Sequence, residues 1–258
     1  MSHSFINYDL TTSFKASAFT TRSPFPWYNF HKFLTPQGFQ KLYLDFPCLE
    51  LFEKHSGIER AYGQRSHDRY YLAYESSIYH QDGVPSEGKG IVKLKDLPIT
   101  WQFFLNELET STVYRSFIQS LLGVSDYRVR YAWHIGFNGS EVSPHIDSPD
   151  KIGTHILYFN TSEDWNADWG GSTLVLGEKQ NAALNPDFSD FKITLPTQTV
   201  DNHSFLFKNA PNGWHGVEPL TCPESAYRRL FNVIFEFPKN QPSPNVGLRS
   251  LVKKILHR

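Results

Sequence analysis

The chain changes rhythm near its middle. Before residue 123 apolar side chains recur at helical spacing, and from about Tyr127 they alternate with polar ones. In "TPQGFQKLYLDFP", Thr35 is placed to cap a helix and Pro36 suits its first turn, while Phe39, Leu42, Tyr43 and Phe46 fall at i, i+3, i+4 and i+7. A second helical stretch opens near Thr100 with Trp101, Phe104, Leu105 and Leu108 on one stripe. It resumes after Ser111 through Phe117 and Leu121, and Gly123 stops it. Then "YRVRYAW", "GTHILYF", "STLVLG", "HSFLFK" and "RRLFNVIFEF" follow as short β-rich runs separated by Gly, Pro, Asn and Asp, the pattern of a sandwich or barrel. The expectation is one domain over 24–240, with a helical buttress (24–123) supporting a β core (124–240). Residues 1–23, rich in Ser and Thr and without periodicity, predict a flexible N-terminal arm. The stretch 241–258 ends in "LRSLVKKILHR", a basic amphipathic tail expected to pack against the domain.

Composition sharpens this picture in two places. Of 258 residues 16% are aromatic and only one is Met, which favours a stiff β interior over an adaptable helical bundle. The formal net charge of −1 offers no general attraction to phosphate, so nucleic acid is not an expected partner. Cys48 and Cys222 stand far apart without CxxC spacing and read as two free thiols. Without a basic start leading into an apolar run, or any stretch of the ~18 apolar residues a membrane span needs, the expected location is cytoplasmic.

The chemistry concentrates in "SPHIDSPDKIGTHILYFN". Residues i and i+2 of a strand share a face, so His145 and Asp147 are expected to enter one cavity together. His215 in "NAPNGWHGVEP" follows a strand and a Pro/Gly turn and is the best third ligand. Two histidines and one carboxylate hold a metal on one side and leave positions open, as Fe(II) oxygenases require; a structural zinc site is closed by four protein ligands. His155 and His203 read as ordinary polar residues. Further on, "YRRLFNVIFEF" opens an apolar strand with two arginines, and a buried guanidinium there calls for an anionic partner.

Taken in order, "HID", "ILYFN" with the acidic loop "TSEDWNADWGG", "STLVLG", "HSFLFKNAPNGWHGVEP" and "RRLFNVIF" resemble the Fe(II)/2-oxoglutarate-dependent oxygenases, prolyl-4-hydroxylase-like branch. The opening "PFPWYNFHKFLTPQGFQKLYLDFP" is similar to bacterial members. The resemblance implies a mainly β fold, a double-stranded β-helix (jelly-roll) buttressed by N-terminal α-helices. It makes His145, Asp147 and His215 the iron ligands and Arg228 the anchor of the far carboxylate of 2-oxoglutarate, with Arg229 as the alternative. Leu230 stands where the family often carries Ser. Tyr158 is implied to help hold that carboxylate, and Thr154 and Asn232 to line the pocket. The implied reaction consumes O₂ and 2-oxoglutarate, releases succinate and CO₂, hydroxylates an unactivated C–H bond, and is supported by ascorbate.

The substrate side is less legible. Arg69, Tyr70, Tyr71, Arg130, Trp133 and the loop "GFNGSEV" are expected to rim the pocket and would suit a small molecule, an amino acid or a peptidyl proline. "GVPSEGKG" falls short of a phosphate-binding loop because Gly90 replaces the final Ser or Thr, and it reads as a surface loop or part of a lid. Two other readings keep the same residues: a β-helix binding module without turnover, and a zinc hydrolase.

Overall fold

The computed structural model describes residues 4–58, 65–75 and 89–238. The tail 241–258 lies outside them, as does "GVPSEGKG" apart from its last two residues. Five α-helices are described: α1 (Tyr8–Ser13), α2 (Ser17–Thr20), α3 (Pro36–Leu44), α4 (Ile99–Thr110) and α5 (Thr112–Leu122). Twelve strands are described: β1 (Trp27–His31), β2 (Glu53–His55), β3 (Arg69–Tyr74), β4 (Ile91–Val92), β5 (Arg128–Gly136), β6 (Val142–His145), β7 (Lys151–Tyr158), β8 (Leu174–Lys179), β9 (Phe191–Pro196), β10 (His203–Lys208), β11 (His215–Val217) and β12 (Arg228–Glu236).

The helical pattern holds closely. Thr35 caps α3 by accepting from the Gly38 amide at 3.1 Å, and Pro36 sits at its first position. The helix stops at Leu44, so Phe46 lies beyond it, yet Phe46 still packs on Phe52, Trp101 and Phe159. Ser111 separates α4 from α5 and caps the latter, and Gly123 ends it in the left-handed conformation at φ 67°. Trp101, Phe104, Leu105 and Leu108 form the buried stripe of α4.

The strands form two sheets. The major sheet runs β1-β10-β7-β12-β5-β3-β2, with β4 attached to β3, and the minor sheet runs β6-β11-β8-β9. This mainly antiparallel pair is a jelly-roll core. β12 is paired with β5 on one side and β7 on the other, so its alternation serves both faces of the major sheet. Phe231, Val233 and Phe235 join the helix-side core with Trp101 and Trp133. On the other face Leu230 and Tyr158 join Val175, Phe205 and Phe207 in a smaller cluster shared with the minor sheet.

The expected loose arm is not loose. Within 4–23 the chain forms α1 and α2, Phe5, Ile6 and Phe19 are buried in the helix-side core, and the Phe5 amide donates to Glu107 at 2.8 Å. Three apolar anchors and a carboxylate from α4 hold a segment whose Ser and Thr content suggested no packing.

Candidate active site

His145 ends β6 and His215 opens β11, and the two residues pair directly across the minor sheet with ring centroids 4.3 Å apart. Asp147 arrives differently from the expectation. β6 stops at His145, so the carboxylate is not a same-face strand neighbour but stands in the loop before β7. Lys151 and Thr154 of β7 orient it: Lys151 Nζ lies 2.6 Å from Oδ1, and the Thr154 hydroxyl donates to Oδ2 at 3.3 Å. The result is convergence. One ligand atom from each of His145, Asp147 and His215 lies within 4.8 Å of the other two.

The protonation states suit a metal. His145 Nδ1 donates to the Ser143 carbonyl at 3.0 Å and His215 Nδ1 to the Gly213 carbonyl at 2.9 Å, which makes Nδ1 the donor and Nε2 the acceptor of each neutral ring. Burial lowers the pKa of His215 against the opposing pull of Asp147, so that ring stays neutral near pH 7. For Asp147 burial acts upward, but Lys151 and the two imidazoles outweigh it and hold the carboxyl well below its usual range. A neutral-imidazole, ionised-carboxylate set is what a divalent cation needs.

A second polar centre lies in the same cavity, whose volume is about 340 Å³. Arg228 is 7% exposed, its Nη2 donates to Thr173 Oγ1 at 3.4 Å, and its Nε has no hydrogen-bond partner among the described residues. Its guanidinium sits 5.3 Å from the Tyr158 ring centre, and the Tyr158 hydroxyl bonds to Thr173 at 2.8 Å. Burial lowers the Arg228 pKa, and among the described residues no carboxylate pairs with it. A buried cation without a counter-ion is costly unless a ligand supplies the anion. Gly171 at φ 92° makes room for it, since a Cβ there would lie 2.9 Å from Arg228 Cδ.

Strand alternation separates the two arginines. Arg229 turns to the outer face, where it pairs with Asp164 and its guanidinium covers the Tyr43 ring at 4.6 Å. Thr154 and Asn232 do line the cavity, and Asn232 Oδ1 is buried without a donor among the described residues. His155 and His203 stay out of it: His155 bonds to Tyr114 and Ser204 on the helix side, and His203 Nδ1 to the Val200 carbonyl. Of the expected rim, Arg69, Tyr71, Arg130 and residues of "GFNGSEV" line the cavity. Tyr70 and Trp133 do not. Tyr70 packs on Phe137 and Tyr227, and Trp133 is fully buried against Trp101 and Phe231, because neighbours along a strand cannot share a face. Sequence reasoning passed over Lys151, Thr173, Gly171 and His134. Only Lys151, four residues from Asp147, carries a signal in the sequence itself.

Comparison with solved structures decides the architecture. The chain is similar to a prolyl-4-hydroxylase from Pseudomonas putida at 14% identity, covering 89% of this chain and 99% of that one, with a TM-score of 0.54. The fold is that of the prolyl-4-hydroxylase-like 2OG-Fe(II) oxygenases. A 2OG-Fe(II) oxygenase-family oxidoreductase from Burkholderia pseudomallei matches at 12% identity over 86% of this chain and 88% of that one, TM-score 0.52. A Trichoplax adhaerens prolyl hydroxylase, solved with a peptide fragment of the hypoxia inducible factor oxygen degradation domain, matches at 16% identity over 89% and 90%, TM-score 0.50. No family model and no curated protein matches the sequence. Among the described residues no helix is long and apolar enough to cross a membrane.

Proposed function

We propose that this oxygenase fold carries an active Fe(II)- and 2-oxoglutarate-dependent dioxygenase, which hydroxylates a C–H bond of a small-molecule or peptidyl substrate and releases succinate and CO₂. The observation that carries the reading is the shared cavity: a His145–Asp147–His215 cluster beside a buried Arg228 that lacks a carboxylate partner among the described residues. The three clustered residues would hold the iron, and Arg228 with Thr173 and Tyr158 would hold the far carboxylate of the keto acid. Bound iron supplies the place where O₂ and the keto acid react and the oxidising power for the C–H bond.

The chain's own groups do the rest. The Ser143 and Gly213 carbonyls fix both imidazole tautomers. Thr154 and Lys151 hold the Asp147 carboxylate in place, so little reorganisation is left for metal binding. Phe207, Leu230 and Ile156 line the cavity between the two polar centres and exclude water from them. Arg228 and Tyr158 select a dianion of fixed length, since only a second carboxylate at the right reach satisfies the guanidinium.

The test is succinate release from 2-oxoglutarate by the full chain, with ascorbate present. It should require Fe(II) and O₂, and Asp147→Ala should lower it by more than ~100-fold, since even residues behind metal ligands cost ~10–100-fold when changed. Turnover supported by zinc, or surviving that substitution, would sink the reading.

A further inference from the structure

β12 turns Arg228, Leu230, Asn232, Ile234 and Glu236 to the cavity, polar side chains separated by apolar ones. Arg228 has the far carboxylate of the keto acid in the reading above. Glu236 accepts from Arg128 and Arg130, each at 3.1 Å. Asn232 has no such task. It is 9% exposed, and its Oδ1 is buried without a hydrogen-bond partner among the described residues.

The sheet register explains why. Ala132 of β5 and Ile156 of β7 stand directly across from Asn232, and Leu230 and Ile234 share its face of β12. All four are apolar. The diagonal neighbours are polar, but three of them are engaged: Thr154 donates to Asp147 Oδ2 at 3.3 Å, Tyr158 shares a hydrogen bond with Thr173 at 2.8 Å, and Arg130 holds Glu236. The fourth is His134, across from Leu230, and its Nε2 is itself buried without a partner among the described residues. Asn232 and His134 therefore do not satisfy each other.

A carbonyl oxygen sealed in an apolar ring loses water and gains nothing in return, a cost that a leucine of similar size would avoid. The missing partner is a donor, which narrows what can supply it. Bound 2-oxoglutarate cannot, because both carboxylates and the keto oxygen of the dianion only accept. Position agrees with this. Four residues of extended strand set Asn232 about 13 Å along β12 from Arg228, in the row beside Thr154, which orients Asp147. The amide thus stands past the keto-acid anchor, on the side of the metal-ligand cluster where the C–H bond has to be presented.

Resting on the oxygenase reading, we infer that the substrate carries an N–H or O–H group, from an amide or an alcohol, that donates to Asn232 Oδ1. Asn232 is then a specificity-determining residue, and His134 Nε2 is the nearest second polar contact for the same group. Sites of this kind discriminate strongly, since an analogue without the donor leaves the acceptor buried and unpaired.

The experiment uses the full chain and pairs of small compounds that differ by a single donor: alcohols beside their methyl ethers, and N-acetyl amino acid N-methylamides beside their N,N-dimethylamides. Calorimetry measures binding to the Zn(II)- and 2-oxoglutarate-loaded protein, and succinate release by the Fe(II)-loaded protein is followed with and without each compound. In at least one pair the donor compound should raise succinate release and bind about tenfold or more tightly than its capped partner; the series in which this happens identifies alcohol or amide. Asn232→Leu should bring that ratio close to one, while Asn232→Asp, which keeps an acceptor, should preserve it. Without ligand, Asn232→Leu should leave the melting temperature unchanged or higher, because it removes an acceptor that the chain does not pair. Capped compounds that bind as well as their donor partners, a panel without a binder, a ratio untouched by Asn232→Leu, or a lower melting temperature for that variant overturns the inference. Absence of succinate under every condition counts against the oxygenase reading instead, while the calorimetric ratio still decides the role of Asn232.

Discussion

The two faces of the major sheet are built from the same strands to opposite rules. On the helix side Trp101, Trp133, Phe104 and Phe231 meet at ring-centroid distances between 4.8 and 6.0 Å, and the interior is sealed by apolar contact. On the cavity side β12 presents Arg228, Asn232 and Glu236 in alternation with Leu230 and Ile234, and among the described residues Arg228 Nε and Asn232 Oδ1 have no hydrogen-bond partner. The first face supplies stability by burying area; the second carries polar atoms whose desolvation is offset only by pairing or by a ligand. Stability and affinity should therefore respond to different substitutions, even between adjacent residues.

The largest separation is expected from Trp101→Ala. Removing a fully buried indole should cost ~3–5 kcal/mol in denaturant unfolding, with 2-oxoglutarate affinity of the remaining folded protein unchanged. Arg228→Gln should do the reverse. Loss of charge-assisted bonds worth ~1.5–3 kcal/mol should raise the KM for 2-oxoglutarate by ~10–150-fold, while the melting temperature holds or rises because a desolvated cation has been removed. A fall in stability together with an unchanged KM would place Arg228 among structural residues. Gly171→Ala tests the space around that guanidinium: a left-handed position should cost ~1–3 kcal/mol of stability, and crowding of Arg228 Cδ should raise the same KM less than Arg228→Gln does. Arg229→Gln is the smallest change. Its pair with Asp164 is partly exposed, so stability should fall by no more than ~1 kcal/mol and 2-oxoglutarate kinetics should stay as they are.

Much of this contrast was legible in the sequence, because period two and period 3.6 are written into the apolar positions themselves. The α3 cap at Thr35, the stop at Gly123 and the inward turn of His145 follow from single residues with one preferred role. Other features had no local signature. Asp147 reaches His145 through a loop rather than a strand, held by Lys151 and Thr154, and no spacing rule encodes that bend. Residue type alone points Trp133 and Tyr70 to the rim, whereas strand parity sends them to the other face. The choice between Arg228 and Arg229 required knowing where Asp164 lies, sixty-odd positions away in the chain. Phe5, Ile6 and Phe19 anchor the N-terminal arm at irregular intervals, which periodicity cannot detect.

Because β12 is hydrogen-bonded on both sides and feeds both faces, its register is a single variable with two outputs. A slip by one position would drive Phe231, Val233 and Phe235 toward the His145–Asp147–His215 cluster and expose arginine to the indoles, so folding errors and disrupted sites should coincide. Laboratory evolution of new specificities on this scaffold should accordingly spare that strand and draw its successful changes from the cavity-facing positions of β3, Arg69 and Tyr71, and not from Leu72, which belongs to the sealed interior.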